Sequence, residues 1–143
     1  MARIGLLEDN TRIAHMCATM LHYAGHEATV YEYPKKFFQQ VLPPSETLSS
    51  SSERACQLPI DLLILDFYLP EMSGLEVIQA LQRNPHTREL PLILCTAANN
   101  AEVQRTLQMF PLVRFVAKPF HIQTLTNTIK ISLAEALERH SSV

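Results

Sequence analysis

The stretch that most constrains this chain runs Asp61-Leu62-Leu63-Ile64-Leu65-Asp66-Phe67-Tyr68-Leu69-Pro70-Glu71-Met72-Ser73-Gly74. Four consecutive apolar residues, Leu62 to Leu65, deliver a carboxylate at Asp66. A loop with Pro70 follows, and a helix start is expected at Ser73. An unbroken apolar run bounded by turn signals fits a strand buried on both faces, the environment of a parallel sheet. Ligands of open α/β sheets collect just beyond the carboxyl ends of the strands, and Asp66 stands at such an end. Aspartate is also a common turn residue, so on this stretch alone a role in capping the loop or the next helix is an equal alternative. The other strand ends decide between the two.

Around that run the chain alternates. Arg3 to Leu7 is a short apolar-rich run ending in Glu8-Asp9-Asn10 and is expected as a first buried strand. Ile13, Met16, Cys17, Met20, Leu21 and Ala24 form one stripe of an amphipathic helix, with Gly25 placed as its stop. His26 to Tyr31 alternates, with Ala28 and Val30 on one side, and reads as a less buried second strand. Pro34 opens a short helix carrying Phe37, Phe38, Val41 and Leu42. After the Asp66 strand, Ser73-x-x-Glu76 matches a capping box leading into Leu75, Ile78 and Leu81, and Pro85 ends that helix. Leu90 to Cys95 is a fourth strand stopping at Thr96. Asn99-Asn100-Ala101-Glu102 is a second capped start, with Val103, Leu107 and Phe110 at helical spacing and Pro111 as the stop. Val113 to Ala117 is a fifth strand before Lys118-Pro119, and Ile122 to about Arg139 a last helix with Ile122, Leu125, Ile129, Leu133 and Leu137 down one face. Five strand–helix units predict a doubly wound α/β fold, a parallel sheet covered by helices on both sides through right-handed crossovers.

The segment from Pro43 to Pro59 breaks this pattern. It holds five serines between Ser45 and Ser52, three prolines and little apolar content, and is expected as a surface loop within a single domain. One domain is also what 143 residues predict. Apolar content of 47% and charged content of 18% are those of an ordinary globular chain. A formal net charge of -2 makes no electrostatic case for nucleic acid or an anionic membrane as partner. The three cysteines, Cys17, Cys56 and Cys95, are widely spaced and predict reduced thiols rather than a disulfide framework or a zinc site. With no signal peptide and no run of membrane-spanning length, a cytoplasmic location is expected.

The carboxyl ends of strands one, three, four and five carry Glu8 with Asp9, then Asp66, Thr96 and Lys118. In the expected sheet all lie along one edge. Converging carboxylates repel one another, and a hard divalent cation such as Mg²⁺ relieves this through oxygen ligands. Phosphate is the natural partner of that cation, with a lysine and a hydroxyl to hold its oxygens. A carboxylate beside the metal can itself be the nucleophile, forming an acyl phosphate. The set therefore suits phosphorylation of Asp66.

In order along the chain, Leu6-Leu7-Glu8-Asp9-Asn10, Leu65 to Gly74, Thr96-Ala97-Ala98 and Lys118-Pro119-Phe120 resemble the receiver domain of two-component response regulators. The resemblance implies a five-stranded flavodoxin-like fold with strand order 2-1-3-4-5. It implies that Asp66 accepts a phosphoryl group from a phosphohistidine on a sensor histidine kinase or phosphotransfer protein. Asp9 would then ligate Mg²⁺ directly, Glu8 mostly through water, and the backbone carbonyl of Tyr68 would complete the protein ligands. Lys118 would pair with the phosphoryl group, and Lys118-Pro119 would be a cis peptide. In the implied switch, Thr96 moves to the phosphoryl oxygen and Phe115 turns inward behind it. The region 100–139 would be the output face, for a downstream protein, an output domain or a homodimer. Tyr68, bulky, and Ala98, small, border the phosphoryl site and bear on the access of hydrolytic water.

Two other readings use the same residues. One is a Mg²⁺-dependent phosphatase or phosphotransferase working through an aspartyl-phosphate. It would usually place a second acid two residues after its nucleophile, where this chain has Tyr68. The other is a receiver-like module that binds partners without phosphorylation, against which the intact set Glu8, Asp9, Asp66, Thr96 and Lys118 counts.

Overall fold

The computed structural model describes residues 1–42, 58–97 and 99–141; the side chains of 140 and 141, most of the Pro43–Pro59 segment and Ala98 lie outside the described residues. Five parallel strands, β1 (Arg3–Leu7), β2 (Glu27–Tyr31), β3 (Leu62–Leu65), β4 (Leu92–Thr96) and β5 (Arg114–Ala117), form one sheet in the order β2-β1-β3-β4-β5. They alternate with α1 (Thr11–Tyr23), α2 (Pro34–Val41), α3 (Gly74–Arg83), α4 (Ala101–Met109) and α5 (Ile122–Ser141). Both the element order and the strand order agree with the sequence-based expectation.

The apolar run of β3 has a two-sided use. Leu63 and Leu65 join a core with Leu7, Phe37, Val77, Ile78, Leu81, Leu92 and Leu94 on the face covered by α2, α3 and α4. Leu62 and Ile64 join a second core with Ile4, Leu6, Cys17, Leu21, Leu125 and Ile129 on the face of α1 and α5. All four β3 side chains are buried, which is why the strand shows no apolar–polar alternation. Burial of each such side chain contributes about 1.5–3 kcal/mol.

The helix ends follow their local chemistry. Asn10 caps α1, accepting from the N–H groups of Arg12 and Ile13 at 3.1 and 3.2 Å. Ser73 and Glu76 form the expected capping box on α3. Gly25 closes α1 with φ of +92°, a conformation that suits glycine.

Some boundaries differ from expectation. β4 starts at Leu92 and includes Thr96, because Leu90 is buried in the connection before the strand rather than in it. Met16 is 48% exposed and Ala14 is buried instead, so the α1 stripe is centred on Ala14, Cys17 and Leu21. β2 is an edge strand, and Val30 at its outer part is 37% exposed. α5 runs for 20 residues, and its stripe leaves the core at Leu137, which is 71% exposed. Among the described residues no helix is long and apolar enough to cross a membrane.

Candidate functional site

The site is assembled by strand register. Leu7 pairs with Leu65 across β1 and β3, so the residues that follow, Glu8 and Asp66, leave the sheet side by side. The backbone continues that alignment for one more step, the Asp66 N–H donating to the Leu7 carbonyl at 3.3 Å. On the other side Thr96 pairs with Ala117, and the Lys118 N–H donates to the Thr96 carbonyl at 3.0 Å. Lys118 thus departs from β5 and reaches past β4 to the β3 and β1 ends.

There its ammonium donates to Asp66 Oδ2 at 2.9 Å and to Glu8 Oε1. The three side chains are 14%, 15% and 10% exposed. Burial lowers the Lys118 pKa, but hydrogen bonds and charges from Glu8 and Asp66 outweigh it, and the net shift is upward. Lys118 is therefore a fixed cation at neutral pH. The remaining oxygens are also held: Glu8 Oε2 accepts the Asn10 N–H at 3.2 Å, and Asp66 Oδ1 accepts the Tyr68 N–H at 3.2 Å.

Beneath this cluster lies a cavity of about 20 Å³ lined by Ala14, Cys17 and Cys95 with Glu8, Asp66 and Lys118. Burial raises both thiol pKa values, that of Cys95 to about 12, so these cysteines are un-ionised packing groups. Cys17 and Cys95 are free, as expected, while Cys56 lies outside the described residues.

Of the residues singled out in the sequence, the structure gathers Glu8, Asp66 and Lys118 into direct contact. Thr96 is buried at 1% exposure at the end of β4, next to the Lys118 backbone. Phe115 pairs in register with Leu94, two residues before the Thr96–Ala117 pair, so Thr96 and Phe115 share a sheet face. Phe115 is partly buried and packs against the core that also takes in Val103 of α4. Asp9 does not join the cluster; its side chain is exposed. Among the described residues no three His, Cys, Asp or Glu side chains are grouped as a metal cluster. In place of the three converging carboxylates expected from the sequence, Glu8 and Asp66 share Lys118, since the Leu7–Leu65 register sets Glu8 rather than Asp9 beside Asp66.

The donor types nevertheless suit a hard cation: Asp9 and Asp66 follow adjacent strand ends with carboxylate oxygens, the Tyr68 carbonyl lies in the loop after β3, and Asp9 faces solvent. The Lys118–Pro119 peptide is cis, as expected.

Two contributors were not apparent in the sequence. Gly74 opens α3 against the loop after β3: a Cβ there would lie 2.8 Å from both the Asp66 carbonyl oxygen and Phe67 Cα. Its N–H donates to the Phe67 carbonyl at 2.6 Å. Asn100, read only as a helix cap, also donates from Nδ2 to the Tyr68 hydroxyl at 2.7 Å. Spacing after Ser73 could have flagged Gly74, but nothing local connects positions 68 and 100.

The family model for the response regulator receiver domain matches residues 4–130. The chain belongs to that family. A probable cyclic di-GMP phosphodiesterase of Vibrio cholerae is 40% identical over 81 residues, 57% of this chain and 18% of that protein. The chain therefore spans less than a fifth of that curated relative. A CheY-like receiver domain structure from Methanospirillum hungatei superposes with a TM-score of 0.78 at 18% identity, covering 97% of this chain and 98% of that one. The response regulator TrrA of Thermotoga maritima, solved in complex with Mg²⁺–BeF, superposes at 0.69 with 23% identity, over 93% of this chain and all of that one. Receiver domains are switches of two-component phosphorelay signalling, and this receiver has the five-stranded fold of those structures.

Proposed function

We propose that this receiver takes a phosphoryl group on Asp66 from a phosphohistidine of a sensor histidine kinase or phosphotransfer protein. The observation that carries the reading is the Asp66 carboxylate at the sheet edge, held by Lys118 at 2.9 Å and still 15% exposed. An Asp66 oxygen attacks phosphorus, the N–P bond to the donor imidazole breaks, and the imidazole leaves with a proton. Lys118 orients the carboxylate beforehand and is the cation placed to balance charge on the transferred group. Asp9, Asp66 and the Tyr68 carbonyl would hold Mg²⁺, with Glu8 acting mostly through water. The metal, when bound, neutralises phosphoryl oxygens.

Thr96 and Phe115 form the switch in this proposal. Support comes from their common face and from Phe115 lying partly buried against the core that also takes in Val103 of α4. A hydroxyl drawn toward a phosphoryl group would let the phenyl ring repack there, biasing a two-state element. Phe115 lacks a hydroxyl, so packing alone would report the state to a partner. The output face would be 100–139, where Met109 and Leu112 are 50% and 57% exposed, contacting a downstream protein or output domain or pairing two copies. We place this activity in the cytoplasm, as a signalling switch rather than a turnover enzyme, with no direct contact to nucleic acid or membrane.

The test is an intact-mass spectrum after incubation with acetyl phosphate and Mg²⁺. One added phosphoryl group is expected, absent without Mg²⁺ and absent from Asp66→Ala. No adduct, together with no response to beryllofluoride, overturns the proposal in favour of a phosphorylation-independent binding module.

A further inference from the structure

Tyr68 carries an arrangement that the transfer itself does not use. Its backbone N–H donates to Asp66 Oδ1 at 3.2 Å, and at the far end of the same residue the hydroxyl accepts from Asn100 Nδ2 at 2.7 Å. Asn100 Oδ1 meanwhile accepts the Val103 N–H at 3.1 Å and so caps α4. One phenol thus spans from the acceptor loop after β3 to the loop after β4, the two loops that carry Asp66 and border Thr96. Tyr68 is 54% exposed, and packing alone does not pin a side chain that open. Among the described residues its side chain makes a hydrogen bond to Asn100 and an edge-on contact with the Phe67 ring, centroids 5.1 Å apart. Serine, threonine or aspartate would cap α4 equally well, but none carries a side-chain amide to donate to the phenol oxygen while its own oxygen caps.

We propose that Asn100 is a positioning residue that, through the Tyr68 hydroxyl, holds the phenol ring across the mouth of the Asp66 site and restrains hydrolysis of the phosphoform. This rests on Asp66 being the phosphoacceptor. In the restrained step a water oxygen attacks phosphorus, the bond from phosphorus to the Asp66 carboxylate oxygen breaks, and inorganic phosphate leaves. The carboxylate is regenerated and the water's protons pass to phosphate and solvent. A ring fixed at both ends narrows the approach of that water, whereas a ring free to rotate about its side-chain bonds leaves it open for part of the time.

The experiment loads the full chain with acetyl phosphate and Mg²⁺, removes the donor, and follows loss of the added phosphoryl mass. Tyr68→Phe keeps the ring and removes the acceptor; Asn100→Ser keeps the cap and removes the amide. Each is expected to shorten the phosphoform lifetime by about threefold to fivefold, the scale on which one net hydrogen bond biases a side chain. The double variant is expected to be no faster than the faster single, because both remove the same bond. Gln104→Ala, which removes a 2.6 Å bond to Asn99 on the same turn but does not touch Tyr68, is expected to keep the wild-type lifetime. Urea midpoints of the variants separate this from a loss of folding, since a merely structural bond would move the midpoint and not the lifetime. Lifetimes that are unchanged or longer in the single variants, or effects that multiply in the double, overturn the inference. If the wild type takes no phosphoryl group on Asp66 and ignores beryllofluoride, the acceptor reading falls, and the inference with it.

Discussion

Replacing Lys118 with methionine isolates the charge balance of the site. Methionine keeps much of the side-chain volume, so the change is chiefly the loss of the ammonium that Glu8 and Asp66 share. Both carboxylates are at most 15% exposed, and water can compensate them only in part. At 2.9 Å, and with an effective dielectric constant of about 20, the attraction to Asp66 alone is about 6 kcal/mol before desolvation is subtracted. Removing one partner of a buried pair costs about 3–5 kcal/mol, because a charge is left uncompensated. The residual exposure here places the expected loss near the lower end, about 3 kcal/mol, or a fall in Tm of about 10 °C for a domain of this size. Urea unfolding at pH 7, read by circular dichroism, measures it. Adding Glu8→Gln should recover about half of the loss, since it removes one unpaired charge while keeping an oxygen for the Asn10 N–H. A Lys118→Met variant within about 0.5 kcal/mol of wild type, or no recovery with Glu8→Gln, would refute the view that one lysine neutralises this pair.

Three further outcomes follow from single contacts. Gly74→Ala forces a Cβ to 2.8 Å from backbone atoms of Asp66 and Phe67, so a loss of about 2 kcal/mol in urea unfolding is expected; on the proposed function, phosphorylation of Asp66 should slow with it, since the same backbone carries Asp66. Among the described residues Ser132 Oγ is buried without a hydrogen-bond partner, and Ser132→Ala is expected to raise stability by about 1 kcal/mol. His26 Nδ1 accepts the Ala2 N–H at 3.2 Å, and burial, the amino terminus and Lys130 together hold its pKa below 6.5. The unfolded chain then binds a proton that the folded chain refuses. This contribution is complete above pH 6.5 and is lost as the pH falls from there through the folded-state value. His26→Gln should flatten urea midpoints over that window, and an unchanged slope would show that His26 is not its source.

The nearest thing to a readable blueprint was the Leu62–Leu65 run. Four apolar residues in a row, bounded by turn signals and too short for a helix, fit a strand covered on both faces, and once one such strand alternates with capped amphipathic helices, the parallel sheet and its right-handed crossovers follow from local chemistry. The carboxyl-end positions of Glu8, Asp66, Thr96 and Lys118 come with that topology, because every strand of a parallel sheet ends on the same edge. Boundaries were less legible where burial occurs outside the elements: Leu90 has the apolar character of a strand residue yet packs from a connection.

Register and side-chain direction belong to the tertiary structure alone. The pairing of Leu7 with Leu65 puts Glu8, not Asp9, beside Asp66, and the reach of Lys118 past β4 turns an acidic cluster into a shared cation pair. No window of sequence carries those facts, since neighbouring carboxylates at positions 8 and 9 differ only in which way the chain turns as it leaves β1. The same holds for Tyr68 and Asn100, 32 residues apart, whose meeting depends on the packing of two separate loops. Periodicity and capping are interactions between residues a few positions apart, so the sequence carries them directly; the site is made by contacts whose distances exist only once the sheet has closed.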